Sequence, residues 1–194
     1  MILDLKNDIN LGDVTLINFV NLSGEESRLV MGWRNHDNIR KWMYTDHIIM
    51  PDEHHKYLEQ LKTDRKNFYW LCRQNGLDKY LGVIYLNRVN MQNKNAFLGI
   101  YVDPFMQSSG MGRLLLSALR KLAFEIMNLH TLKSEVLETN ERAISLYKRF
   151  SFEEEGCLKE FVLRDGKWLD VIILGLSKLS DDKDKYGRVE KREI

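Results

Sequence analysis

The chain is poor in the residues that mark special environments. It carries two cysteines in 194 residues, Cys72 and Cys157, far apart and without paired spacing. That argues against a disulfide framework or a zinc site and suits a reducing compartment. It carries two prolines, Pro51 and Pro104, and no repeat or internal linker that would divide it. Neither sign of charge prevails, with 29 Lys and Arg against 28 Asp and Glu. A net charge of +1 predicts no nucleic-acid partner and no membrane partner. No apolar run approaches the ~18 residues of a membrane span. The stretch Met1 to Asp8 is interrupted by charge and lacks a signal-peptide pattern, so a cytoplasmic location is expected. No two histidines stand at i, i+4 with a carboxylate partner, so no metal is expected. What is present, 44% hydrophobic and 29% charged residues, is ordinary for a globular protein. Residues 1–180 suit one domain. Residues 181–194 hold ten charged side chains and one aromatic, and are expected to form a disordered tail.

The patterning alternates. Val14–Val20 reads as a strand. Gly24–Arg34 reads as a helix, with Ser23 as N-cap and Glu25 and Glu26 in its first turn. Pro51 opens a second helix to Lys62. Phe68–Arg73 and Tyr80–Leu86 form a hairpin across Asn75-Gly76. Phe97–Val102 reads as a central strand ended by Asp103-Pro104. From Met111 to Met127 runs a helix with Leu115, Ala118, Leu119, Leu122, Ala123 and Ile126 on one face. Thr131–Leu137 is a strand, Asn140–Phe150 a helix. Glu154–Leu163 and Lys167–Leu176 make a hairpin turning at Arg164-Asp165-Gly166-Lys167. This order predicts an α/β (α+β) domain built on one mixed sheet.

The richest stretch is Gln107-Ser108-Ser109-Gly110-Met111-Gly112-Arg113, between the central strand and the long helix. Unpaired backbone N–H groups and the helix dipole make such a junction an anion site, and the glycines admit close approach. A dinucleotide fold would place glycine where Leu115 stands, and a P-loop would follow Gly112 with Lys-Ser or Lys-Thr. The hexad instead reads Q-x-x-G-x-G, which resembles the pyrophosphate loop of the GNAT acyltransferases. Asn140-Glu141-Arg142-Ala143-Ile144-Ser145-Leu146-Tyr147, running into Phe150-Ser151-Phe152, resembles that family's second motif, with Ser151 where the family usually has glycine. The resemblance implies a mostly antiparallel mixed sheet flanked by helices, with acetyl-CoA as co-substrate. Ile100, Tyr101, Val102, the loop from Gln107 to Arg113, Asn140, Ala143 and Tyr147 would then hold it.

N-acetyl transfer from a thioester needs a held cofactor, a neutral amine and a proton for the leaving thiolate. The resemblance puts Tyr147 in the proton-donor role; by position alone it is equally a core aromatic between Leu146 and Phe150. It gives Asn140 a hydrogen bond to the pantetheine arm, and the same side chain suits a plain helix cap. Thr131-Leu132-Lys133-Ser134-Glu135-Val136 is similar to a stretch in ribosomal-protein N-acetyltransferases whose glutamate takes the amine proton, which nominates Glu135. A solvated or paired carboxylate, with water drawing off the proton, is the alternative.

The segment Trp33 to Ile48 mixes rings with Arg34, His36, Arg40, Lys41 and His47. It suits a helix–helix turn, and equally a nucleotide-sugar site that needs cations for phosphate and rings for a base or pyranose. Trp33-Arg34-Asn35-His36, Trp42-Met43-Tyr44, Leu98-Gly99-Ile100-Tyr101 and Leu137-Glu138-Thr139-Asn140 resemble GNAT enzymes that acetylate UDP-linked 4-amino-4,6-dideoxy sugars for pseudaminic acid. The resemblance covers most of residues 15–176 and implies substrate contacts from Arg34, His36, Met43, Tyr44, His47 and Tyr101. His54 and His55 read as members of a surface helix. The rivals are a protein N-terminal or ribosomal-protein N-acetyltransferase and a non-catalytic acyl-CoA sensor. The sequence allows a homodimer without requiring one.

Overall fold

The computed structural model describes residues 4–77, 79–106 and 110–180; Gln107, Ser108, Ser109 and the charged tail lie outside the described residues. The strands are β1 (Ile9–Asn10), β2 (Val14–Asn18), β3 (Phe68–Gln74), β4 (Lys79–Asn90), β5 (Asn95–Val102), β6 (Thr131–Leu137), β7 (Glu153–Arg164) and β8 (Lys167–Ser177). They form one sheet in the order β1-β2-β3-β4-β5-β6-β8-β7. Every neighbouring pair is antiparallel except β5 and β6. The expected mixed, mostly antiparallel sheet is thus the observed one.

Among the described residues five α-helices flank it: α1 (Gly24–Asn35), α2 (Asp37–Arg40), α3 (Pro51–Thr63), α4 (Met111–Arg120) and α5 (Glu141–Arg149). Local chemistry sets several boundaries. Ser23 and Glu26 close a reciprocal capping box on α1. Asn140 caps α5 by accepting from the Ala143 N–H. Asp165 and Gly166 both hold positive φ, as a two-residue turn between β7 and β8 requires. The long helix departs from expectation in its last six residues, Lys121–Ile126, which wind as a π-helix.

Two cores lie on opposite faces of the sheet. Leu115, Leu116, Leu119 and Leu122 pack with Trp70, Ile84 and Leu86 on one face, all fully buried, at roughly 2 kcal/mol for each leucine removed from water. On the other face Val30 and Trp33 of α1, Ile39 of α2 and Leu61 of α3 pack on Leu71 and Val83. Ser151 holds φ +62° in the tight passage from α5 to β7. Glycine takes that conformation freely and serine does not, which is the physical reason glycine suits the position.

Candidate active site

The site starts from a failure of pairing. β5 and β6 run parallel and pair only at Asn95 with Thr131, Ala96 with Leu132 and Phe97 with Lys133. Beyond Phe97 the strands part. The edge of β5 from Leu98 to Val102 then faces a gap with its backbone donors and acceptors uncommitted to β6. α4 and α5 both begin beside this gap. Ile100, Tyr101, Val102, Gly112, Asn140, Ala143 and Leu146 line a cavity of about 200 Å³ there, closed on one side by Ile39, Trp42 and Met43.

A strand gap with a glycine-bearing helix start beside it suits an anionic ligand with an extended arm. Gly110 stands at the start of α4 with φ +116°, a left-handed conformation disfavoured for other residues. A Cβ on Gly112 would stand 3.1 Å from Leu146 Cδ2, inside the cavity wall. Arg142 joins the lining from the first turn of α5. Met111 packs against the core and Arg113 is exposed, so the two flank the glycines from outside the cavity.

A second cavity, about 560 Å³, opens on the opposite face of the sheet beneath α1, α3 and the loop of residues 41–50. Tyr44, Tyr57, Tyr69, Tyr85 and Tyr101 line it with Arg34, Met43, Glu53, His54, Lys56 and Asn87. Met43 and Tyr101 line both cavities, so the two meet at these side chains. The tyrosines pack on one another: the Tyr69 and Tyr85 rings stack at 5.1 Å, and Tyr57 meets Tyr69 edge-on at 5.6 Å. Any Cβ at Gly99 would overlap the Tyr85 ring, so glycine in β5 is what lets Tyr85 of β4 lie across its neighbour.

Three residues of the larger cavity's lining each carry a buried polar atom with no hydrogen-bond partner among the described residues: Arg34 Nη1, His54 Nε2 and Asn87 Oδ1. Buried polar atoms are almost always satisfied, so these three have bonding capacity to spare. Burial acts most strongly on the Arg34 guanidinium, lowering its pKa, and the Tyr101, Tyr85 and Tyr69 hydroxyls oppose that shift. Its Nη2 donates to the Thr45 carbonyl at 2.7 Å and to Thr45 Oγ1 at 2.8 Å, which leaves Nη1 for a ligand.

The proposed acid and base stand on opposite faces of β6, as alternation along a strand requires. Ser134 points toward the α4 side and hydrogen-bonds the Tyr147 hydroxyl. Tyr147 is buried at 4% exposure against Phe152, and burial pushes its pKa up to about 12. It is therefore a core aromatic whose hydroxyl meets Ser134 of β6, within electrostatic reach of Tyr85. Glu135 points the other way. Its Oε2 accepts from the Tyr44 hydroxyl at 3.1 Å and from Arg88 Nη2 at 2.7 Å. Arg88 in turn lies 3.4 Å over the Phe97 ring.

Tyr147, Glu135, His36 and His47, all nominated from the sequence, line neither cavity. His36 caps α2, its Nδ1 accepting from the Asn38 N–H at 3.2 Å, and its ring meets Phe105. His47 pairs with Glu53 at 2.9 Å and touches the larger cavity through that partner. Conversely, the surface reading of His54 is corrected. It is 8% exposed on the inner face of α3, because Tyr57 and Leu61 follow at i+3 and i+7 and turn that stripe to the sheet. The signal was present in the helical spacing. Tyr69, Tyr85 and Asn87 were missed because strand residues carry no local mark of the pocket they face.

Burial lowers the His54 pKa below the ordinary 6.5, against a hydrogen bond to the Ser27 backbone that raises it. The unfolded chain then binds a proton at His54 that the folded chain resists. Stability should fall as pH drops below about 6.5. Melting temperatures between pH 7 and pH 5 should decline more steeply for the native protein than for His54→Gln; equal slopes would remove His54 as the cause.

Among the described residues no helix is long and apolar enough to cross a membrane, and no group of three metal-ligating side chains gathers. Comparison with known proteins bears on the arrangement. Residues 30–173 match the family model of the acetyltransferase (GNAT) domain. Over 139 residues the chain is 34% identical to acetyltransferase PseH of Campylobacter jejuni, covering 72% of this chain and 84% of that protein. The crystal structure of C. jejuni PseH in complex with acetyl coenzyme A shares the fold at a TM-score of 0.65 and 25% identity, over 85% of this chain and 99% of that one. The Vibrio cholerae spermidine N-acetyltransferase, solved with CoA and spermine, shares it at a TM-score of 0.79 and 23% identity, over 87% and 98%.

Proposed function

The chain belongs to the GNAT acetyltransferases and is an acetyl-CoA-dependent N-acetyltransferase, and from that premise we propose that it acetylates the 4-amino group of a UDP-linked 4-amino-4,6-dideoxy sugar. The observation that carries the reading is the desolvated Arg34 guanidinium, with an unmatched Nη1, in a large cavity walled by tyrosines. A fork of donors in a dry site recognises phosphate oxygens, and rings offer faces for a base and a pyranose. Likeness to PseH over most of the chain supports the same substrate class.

A polyamine is the rival that the spermidine acetyltransferase fold suggests. A polycation would call for several carboxylates. The described lining of the larger cavity instead combines Arg34 and Lys56 with Glu53, which is already engaged by His47. A peptide N-terminus would ask for an open groove, and this cavity lies beneath two helices and a loop.

In the proposed mechanism acetyl-CoA, when bound, supplies the acetyl thioester. Gly110, Gly112 and Asn140 hold it from the α4 and α5 side, with the β5 edge beside its arm. Glu135 receives the amine proton on its carboxylate, and Tyr147 gives its Oη proton to the leaving sulfur as the amine takes the acetyl carbon. Tyr101 and Met43 separate the two cavities and so fix where amine and thioester meet.

The test is to incubate purified protein with acetyl-CoA and a UDP-4-amino-4,6-dideoxy sugar, or spermidine, or an alanine-terminated peptide, and follow acetylation by mass spectrometry. Arg34→Ala should raise KM for the UDP-sugar about tenfold or more, the loss of a charged hydrogen bond, with acetyl-CoA KM nearly unchanged. Preferred turnover of spermidine or peptide would overturn the substrate assignment.

A further inference from the structure

The loop of residues 41–50 supplies Met43, Tyr44, Thr45 and Ile49 to the larger cavity, yet forms neither helix nor strand. Its carbonyl groups must find partners elsewhere. Arginines provide several of them. Arg34 Nη2 donates to the Thr45 carbonyl and Arg40 Nη1 to the Asp46 carbonyl at 2.5 Å, both from the helices just before the loop. Asn35 of α1 holds Ile49 by both its carbonyl and its N–H, and a further tie comes from far along the chain. Arg164, the last residue of β7, donates from Nη2 to the Met43 carbonyl at 2.6 Å and from Nη1 to the Lys41 carbonyl at 3.2 Å. Its Nε stands 3.2 Å from Asp46 Oδ2. The Arg164 side chain is 12% exposed, and its bond to the Met43 carbonyl is partly buried.

We propose that Arg164 is a positioning residue for the acetyl acceptor: its guanidinium clamps the 41–46 turn so that Met43 and Tyr44 close the larger cavity. The geometry calls for arginine. A planar fork donates to two carbonyls at once and keeps its charge beside the Asp46 carboxylate, a geometry that an ammonium on a flexible stem does not fix. The anchor is rigid on its own side, because Arg164 pairs with Lys167 across the Asp165-Gly166 turn. The same hairpin gives the loop a second hold, where Phe161 of β7 meets the Tyr44 ring edge-on at 6.1 Å. Tyr44 is also the loop residue that bonds Glu135, so the clamp governs the mouth of the acceptor cavity and the contact to the proposed base together. Arg164 lines neither cavity and acts through the loop.

The inference rests on the assignment of the larger cavity to the acceptor, and the test separates the two. The first arm needs no substrate. In hydrogen–deuterium exchange, Arg164→Ala and Arg164→Lys should speed exchange of the amides in residues 41–50, with β3 to β5 unchanged. The second arm is kinetic. Both variants should raise KM for the UDP-amino-sugar about tenfold while acetyl-CoA KM stays within about twofold. Asp46→Asn keeps the carbonyl contacts and should show a smaller rise in the same direction. Unchanged exchange in residues 41–50 overturns the clamp. Faster exchange without a change in acceptor KM, or with equal changes in both KM values, overturns the positioning role. If Arg164→Ala fails to fold, Arg164→Gln, which keeps one donor, carries the same two arms and the same readings.

Discussion

Tyr147→Phe should lower kcat by about 10²–10⁴-fold, the range that a positioned general acid supplies, and leave acetyl-CoA affinity almost unchanged. The substitution keeps the ring that packs on Phe152 and removes only the hydroxyl that meets Ser134. A contact that matters most as the thiolate leaves shows in kcat rather than in ground-state binding. A pKa of about 12 keeps the phenol protonated at neutral pH, so the proton is present when needed. Wild-type turnover in Tyr147→Phe would reduce the residue to packing. Glu135→Gln is the companion. A comparable drop with a displaced pH profile supports a direct base, and an unchanged rate assigns proton removal to water.

The second large effect concerns the co-substrate. Gly112→Val should weaken acetyl-CoA binding by tenfold or more in isothermal calorimetry while the protein still folds. The new Cβ would stand 3.1 Å from Leu146 Cδ2, a partly buried side chain with room to yield, so the helix survives. The two γ-methyls have no such room and would project into the 200 Å³ cavity lined by Asn140 and Ala143. Overpacking of this kind costs about 1–3 kcal/mol, which spans the expected loss. A folded variant with native affinity would place the diphosphate elsewhere.

Much of the scaffold was legible in the residues themselves. β6 spans Thr131–Leu137 as its apolar alternation indicates, and α1, α3 and α5 begin at Ser23, Pro51 and Asn140, where capping chemistry begins them. The leucine stripe of α4 fixes which face meets the sheet, and Asp165-Gly166 fixes the register of the last hairpin. These signals act within a few residues, where helical period, caps and turn stereochemistry operate. The glycine pair and its place between β5 and α4 pointed to acetyl-CoA for the same reason.

What the tertiary structure decided is of another kind. The tyrosine wall draws on α3, β3, β4 and β5, and exists because β3, β4 and β5 are neighbours in the sheet and α3 covers that face. Glu135 meets Arg88 and Tyr44, distant in sequence, because β5 and β6 part after three pairs and leave that face open. β8 rather than β7 lies against β6, and the resulting hairpin brings Arg164 to a loop about 120 residues before it. No local pattern encodes such meetings. Burial of two apolar faces selects one order of strands, and the polar residues left between them become neighbours as its consequence.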